Sequence, residues 1–187
     1  VRHAAGGNIS NISDFERDVA KCVSEHTGKI VAHNAKFDMH FSENHNIKLG
    51  DKVEDTMVLE ALLDENRRSY SLENVCKSYS SEGVTPKLGK ELYVYLAEKF
   101  GCKSDNSSMA YFHRLAGDDP MAVEYAQGDT LATKQLHTTQ KKKLYEQQLD
   151  VVVELESHLT YVLQKMERRG IKVDLEECSK VKSEVET

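Results

Sequence analysis

The run Ile30-Val31-Ala32, followed at once by His33-Asn34-Ala35-Lys36-Phe37-Asp38, constrains this chain more than any other stretch. Apolar and largely β-branched, it suits a short buried strand, and it ends in a polar group that must face a turn or a site. Upstream, Phe15, Val19, Cys22 and Val23 recur at helical spacing, which predicts a helix over 14–26. Ser13 and Glu16 would form its capping box and Gly28 would end it. Downstream, a helix is expected to start near Asp38 and cover 39–44, a second short strand to span 52–55, and Asp55 to cap a helix over 56–63. Short strands under generous helical cover predict a layered α/β domain.

Beyond it, 71–79 reads as helix, 80–119 as loops and short helices, and Asp118-Asp119-Pro120 as the start of a helix reaching about 145. A long amphipathic helix with Leu155, Leu159, Val162, Leu163 and Met166 follows, stopping at Arg168-Arg169-Gly170, and 171–174 looks extended. These elements divide the chain into a first domain over 1–150 and the helical beginning of another over 151–187. With 39% hydrophobic and 30% charged residues in 187, the chain can bury a core and is expected to be soluble and globular. Apolar runs are far shorter than the ~18 to 20 residues of a membrane span, and 1–10 lack a signal-peptide core. A formal charge of −6 disfavours a broad basic nucleic-acid surface but is compatible with carboxylates that meet phosphates through cations. Cys22, Cys76, Cys102 and Cys178 have no C-x-x-C spacing and read as reduced, mostly buried thiols of a cytoplasmic protein.

Asp38 follows the carboxyl end of a strand, where α/β sheets gather ligands. Tyr125 and Asp129 lie four apart on a predicted helix, sharing one face with a rise of ~6 Å. A phenol and hard carboxylate oxygens from separate segments are what two-ion phosphoryl hydrolysis requires. Each feature also has a plainer explanation. An aspartate after a strand is commonly a helix cap, and Asp55 reads as one. His33, His40 and His45 lack zinc-ligand spacing and are expected to face solvent. Lys141-Lys142-Lys143 suits a solvated helix end, and Tyr161 with its neighbouring leucines suits a core.

Taken in order, Asn34-Ala35-Lys36-Phe37-Asp38 resembles the second motif, and Tyr125-x-x-x-Asp129 the third, of the tyrosine-type DEDD 3′-5′ exonucleases, specifically the proofreading domain of family A, polymerase I-like DNA polymerases. Val53-Glu54-Asp55-Thr56-Met57 resembles the segment between them, Tyr70-Ser71-Leu72 the helix start after it, and Leu159 to Asp174 the entry into the polymerase domain; the likeness covers roughly 28–175, with a weak middle over 80–119. The resemblance implies an RNase H-like mixed sheet flanked by helices, truncated at its N-terminus, followed by the helical start of a polymerase domain. It implies two Mg²⁺ or Mn²⁺ ions held in part by Asp38 and Asp129, with Tyr125 orienting the attacking water. Asn34 would contact the 3′ end of single-stranded DNA, Phe37 would bind substrate by packing beneath the site, and Arg68 would contact phosphate. The polymerase domain of the same natural chain would be its partner, in a phage-encoded or other compact polymerase working in the cytoplasm.

The family's first motif, Asp-x-Glu on an apolar strand, has no good counterpart. Asp14-Phe15-Glu16 has the letters, but the capping box accounts for them. Val1-Arg2-His3 resembles the strand after that motif, so the missing carboxylates are expected upstream of residue 1, leaving this piece with little or no activity alone. The rival reading is a catalytically silent exonuclease-like module that positions DNA or serves as a platform for the polymerase.

Overall fold

The computed structural model describes residues 3–6, 8, 11–85 and 89–186. Helix α1 (Ile12–Glu25) precedes strand β1 (Ile30–Ala32) and helix α2 (Ala35–Asn44). A 3-10 turn (Gly50–Lys52) leads to strand β2 (Val53–Asp55), α3 (Thr56–Leu63) and α4 (Leu72–Ser78). After a 3-10 turn (Ser80–Glu82) come α5 (Gly89–Phe100), a 3-10 segment (Asn106–Arg114), α6 (Pro120–Glu146), α7 (Asp150–Arg169) and α8 (Leu175–Val185). The architecture is mixed α/β, mostly helical.

Strands β1 and β2 pair in parallel, with Ile30 opposite Val53, Val31 opposite Glu54 and Ala32 opposite Asp55. Parallel neighbours need a crossover, which α2 supplies. Among the described residues the sheet consists of these two strands, so the expected mixed sheet is here a small parallel one. Val1 and Arg2, read as part of a further strand, lie outside the described residues. His3 and Ala4 instead run beside 113–115: the Ala4 N–H donates to the His113 carbonyl at 2.7 Å, and His3 Nδ1 lies 3.0 Å from the Leu115 carbonyl.

Helix α6 is the spine, 27 residues and ~40 Å long. Near its start Ala122 and Tyr125 pack on Leu92, Leu96 and Leu115. Midway, Ala132 and Leu136 meet Leu72, Val75 and Cys76 of α4. At its end Leu144 joins Leu59 of α3 and Val153 of α7. Buried polar groups set its register. His137 Nε2 donates to the Glu54 carboxylate on β2 at 2.7 Å, which, with Lys141 and Lys29 nearby, holds Glu54 below its ordinary pKa despite burial. Gln140 donates to the Thr56 carbonyl at 3.0 Å and to Glu60 at 2.8 Å; Glu60 also accepts from Tyr79 and Arg67, both at 2.8 Å. Burial, and then this anionic neighbour, push the Tyr79 phenol well above its ordinary pKa.

Several expectations need correction. Helix α1 starts earlier, at Ile12, because Asn11 accepts the Asp14 N–H at 3.1 Å; the Ser13–Glu16 capping box does not form, and Glu16 instead binds His45 at 2.6 Å. Gly28 is not a left-handed stop, since the helix ends in extended backbone at His26. Helix α2 begins three residues before Asp38. The 80–119 region holds the full helix α5. Residues 171–174, by contrast, lie outside helix as expected, with Asp174 in extended backbone. Only Cys76 is fully buried, and Cys22 and Cys178 are exposed.

Helix α7 is the largest surprise. Val153, Ser157, Thr160 and Gln164 face inward, while Leu155, Leu159, Leu163 and Met166 face outward, Leu155 being 64% exposed. The leucines are therefore not core, although Tyr161 packs partly on Ala35, Met39 and Val53. Small hydroxyl residues allow close approach to the β1–α2–β2 unit, and their hydroxyls are satisfied on their own helix: Ser157 by the Val153 carbonyl at 2.8 Å, Thr160 by that of Glu156 at 2.9 Å. Charged pairs then fasten α7 to α2. Glu167 accepts from Lys36 at 2.6 Å and His40 at 2.8 Å, and Glu43 from Lys165 and from Arg168, the latter at 2.6 Å. No helix among the described residues is long and apolar enough to cross a membrane.

Leu136 is fully buried where α6 meets α4. Leu136→Ala is expected to destabilise the chain by about 2–5 kcal/mol, read as a lower urea midpoint with unchanged slope.

Candidate active site

Because β1 and β2 are parallel, both release their chains at the same edge of the sheet, and Asp55 lies in register with Ala32 there. From β1 the backbone turns sharply. Asn34 takes the left-handed conformation (φ 64°, ψ 51°), which Asn tolerates better than most residues, and α2 starts at the next residue. Its side chain does not cap the helix. Asp55 performs that task from the neighbouring strand: the N–H groups of Asn34 and Ala35 donate to its carboxylate at 2.9 and 2.7 Å. The Met57 N–H donates to the same carboxylate at 2.9 Å, so Asp55 caps α2 and α3 together.

The preceding peptide is held from the same side. Thr56 Oγ1 lies 3.2 Å from the Ala32 carbonyl and 2.8 Å from His33 Nδ1, and His33 Nε2–H donates to the Tyr70 carbonyl at 2.8 Å. His33 is thus a structural link and not a solvent-facing side chain. His40 and His45 also have partners, Glu167 and Glu16.

Asp38 occupies the first turn of α2, where the helix dipole favours a negative charge. The residue is exposed overall, yet shielding of its carboxyl from water, followed by the negative field of Asp55, pushes its pKa above the ordinary carboxylate value. A carboxylate kept in an unfavourable setting marks a functional candidate. Tyr125 and Asp129 stand on successive turns of α6, a helix that also packs on β1. The Tyr125 ring is partly buried, 6.0 Å from that of Phe112. Asp129 is half-buried, and its backbone carbonyl accepts the Thr133 hydroxyl at 2.8 Å.

The remaining predicted residues divide. Asn34 is exposed, its amide uncommitted to capping. Phe37 does not pack beneath the site: it is 59% exposed and lies against Phe41, ring centroids 4.7 Å apart. Arg68 is exposed without an ion pair among the described residues, while Arg67 beside it is the one that binds Glu60. Asp14 accepts from Asn11 and Arg17 on the outer face of α1. Of the lysine trio, Lys141 pairs with Glu54 and Lys143 with Glu82, so two of the three brace the fold.

Asp38 and Asp129 offer the hard oxygen that Mg²⁺ or Mn²⁺ prefers, but Asp55 is committed to three N–H groups. Among the described residues no group of three or more His, Cys, Asp or Glu side chains is arranged to hold a metal ion. The donors fit in kind and fall short of the ~six oxygens that Mg²⁺ takes. Asp55 caps α3 as expected; its hold on the elbow, together with Thr56 and His33, is what spacing did not reveal. The signal was an acid ending the second short strand, legible only once that strand is known to lie parallel to the first.

Residues 11–145 match the profile of a 3′-5′ exonuclease family found in family A DNA polymerases. The chain is 33% identical over 84% of its length to DNA polymerase DpoZ of Acinetobacter phage SH-Ab 15497 and 32% identical over 94% to DNA polymerase DpoZ of Salmonella phage PMBT28. It covers 25% and 28% of those two proteins. It is also 30% identical over 77% of its length to DNA polymerase I of Synechocystis sp., covering 13% of that protein. No solved structure matches it.

With its folded-state pKa above 3.8, Asp38 holds its proton more tightly folded than unfolded, so its contribution to stability declines as pH rises through the window just above 3.8. Asp38→Asn is expected to raise the melting temperature at pH 7 in chelator-treated buffer, with the gain fading as pH falls below 3.8. Scanning calorimetry at the two pH values checks it; an equal or lower melting temperature for the variant at pH 7 contradicts it.

Proposed function

Since this chain belongs to the 3′-5′ exonuclease family of family A DNA polymerases, we propose that its residues 1–150 form an RNase H-like domain that hydrolyses the terminal phosphodiester bond at the 3′ end of single-stranded DNA. The observation that carries this reading is the delivery of Asp38 to the carboxyl edge of the parallel pair, on a helix whose start is rigidly capped. In this reading Asp38 and Asp129 are metal-site carboxylates and Tyr125 orients the attacking water. Two Mg²⁺ or Mn²⁺ ions would be held in part by these two carboxylates, which alone fall short of a full oxygen shell. Asn34 faces the 3′-terminal nucleotide with its uncommitted amide, and Arg68 contacts a phosphate. The exposed Phe37, beside Phe41, offers an aromatic face on which an unpaired base can stack.

Residues 151–187 are the start of the polymerase domain in this reading. Two observations support it: the family match ends at 145, and α7 turns an apolar face outward that the described residues leave exposed. Work in the cytoplasm, in a phage-encoded polymerase, agrees with the phage relatives. A second reading, the catalytically silent positioning module, is favoured by one observation, the lack of a three-ligand cluster among the described residues.

The test uses the longer natural protein on a 3′-labelled single strand with Mg²⁺ or Mn²⁺. Asp38→Ala and Asp129→Ala are each expected to reduce digestion at least about a hundredfold, since even changes behind a metal ligand cost ~10–100-fold, with a smaller loss for Tyr125→Phe. Wild-type rates in both alanine variants would remove the site assignment. No metal-dependent digestion by the unaltered protein would establish the silent module.

A further inference from the structure

We propose that Asp55 is a positioning residue of this site: its one buried carboxylate holds the elbow between β1 and α2 and thereby sets the direction in which Asp38 and Asn34 are presented. The inference rests on the exonuclease reading above, and it concerns a residue whose spacing suggests nothing more than a local cap for α3.

Three features carry it. The three N–H groups bound by Asp55 belong to two elements: Met57 opens α3, whereas Asn34 and Ala35 form the turn out of β1. A carboxylate has about four lone-pair sites, so three such bonds leave it little to offer a metal ion or substrate, and its part is to hold others. Asn34 is left-handed and does not cap its own helix, so capping from the adjacent strand leaves its amide facing outward. Without Asp55 the cheapest repair is for Asn34 itself to turn inward as the cap, which would take it from the substrate and redirect the first turn that bears Asp38. The elbow has further ties on the same side, Thr56 Oγ1 beside the Ala32 carbonyl and the His33 ring between Thr56 and the Tyr70 carbonyl, but no other side chain reaches the N–H groups of Asn34 and Ala35 among the described residues.

The longer natural protein provides the test, with Asp55→Asn as the main variant. Asparagine keeps the shape and one acceptor oxygen but sets an NH₂ group against the Ala35 N–H. The expected result is a kcat on single-stranded 3′ ends lowered on the order of tenfold to a hundredfold, with KM changing less, because small misplacement of a reacting group is that costly. Amide exchange should quicken in the peptide covering 33–36. Ser71→Ala, which removes the cap of α4, serves as the control for lost capping and should leave kcat unchanged. Wild-type kcat in Asp55→Asn overturns the proposal, as does faster exchange confined to α3 with 33–36 unchanged. The unaltered protein and Asp38→Ala run alongside: no metal-dependent digestion by the unaltered protein sinks the exonuclease reading, and wild-type digestion by Asp38→Ala sinks the role of Asp38, while the exchange experiment still decides whether Asp55 holds the elbow.

Discussion

A single buried carboxylate joins the two halves of the β1–α2–β2 unit. Asp55 gives up water and is repaid by three backbone N–H groups, two from the elbow before α2 and one from the start of α3. This works only because the strands are parallel and in a register that sets Ala32 beside Asp55. A slip of one residue would turn the carboxylate to the other face of the sheet and leave two helix starts uncapped.

The rest of the molecule braces that unit from two sides. Helix α6 is pinned to β2 and α3 by His137 on Glu54 and by Gln140 on Thr56 and Glu60, so sliding it would strand buried charges as well as apolar side chains. Helix α7 grips the outer face of α2 through Glu167 and Glu43. Those carboxylates sit below their ordinary pKa, Glu167 chiefly through its hydrogen bond from His40 and Glu43 chiefly through that from Lys165. The helix that bears Asp38 is therefore capped from the sheet and strapped from outside, the kind of rigid support that the proposed role of Asp38 requires.

Much of the architecture was legible because local chemistry decided it. Ile30 to Ala32 formed the strand its β-branched residues suggest, Asp119 with Pro120 opened α6, and Gly170 closed α7 at a positive φ of 68° that favours glycine. Misreadings arose where several local solutions competed. Asn11 and Ser13 could each have capped α1, and the cap nearer the chain start lengthened the helix. Helix α5 was hidden in a stretch rich in glycine and polar residues. Helix α7 reversed expectation because close packing on α2 and β2 favours small Ser157 and Thr160 over the leucines that periodicity alone would have buried.

By itself the sequence determined which residue types were available and in what order: an acid after the first short strand, an acid ending the second, and a tyrosine one helical turn before a third acid. That order was enough to suggest the family. Tertiary structure decided what each acid does. Parallel pairing placed Asp55 beside the elbow, where its lone pairs are consumed by N–H groups, and left Asp38 with a pKa raised first by shielding of its carboxyl from water and then by the field of Asp55. Spacing along a chain cannot separate those roles, because the distinction depends on which backbone donors lie within ~3 Å of each carboxylate.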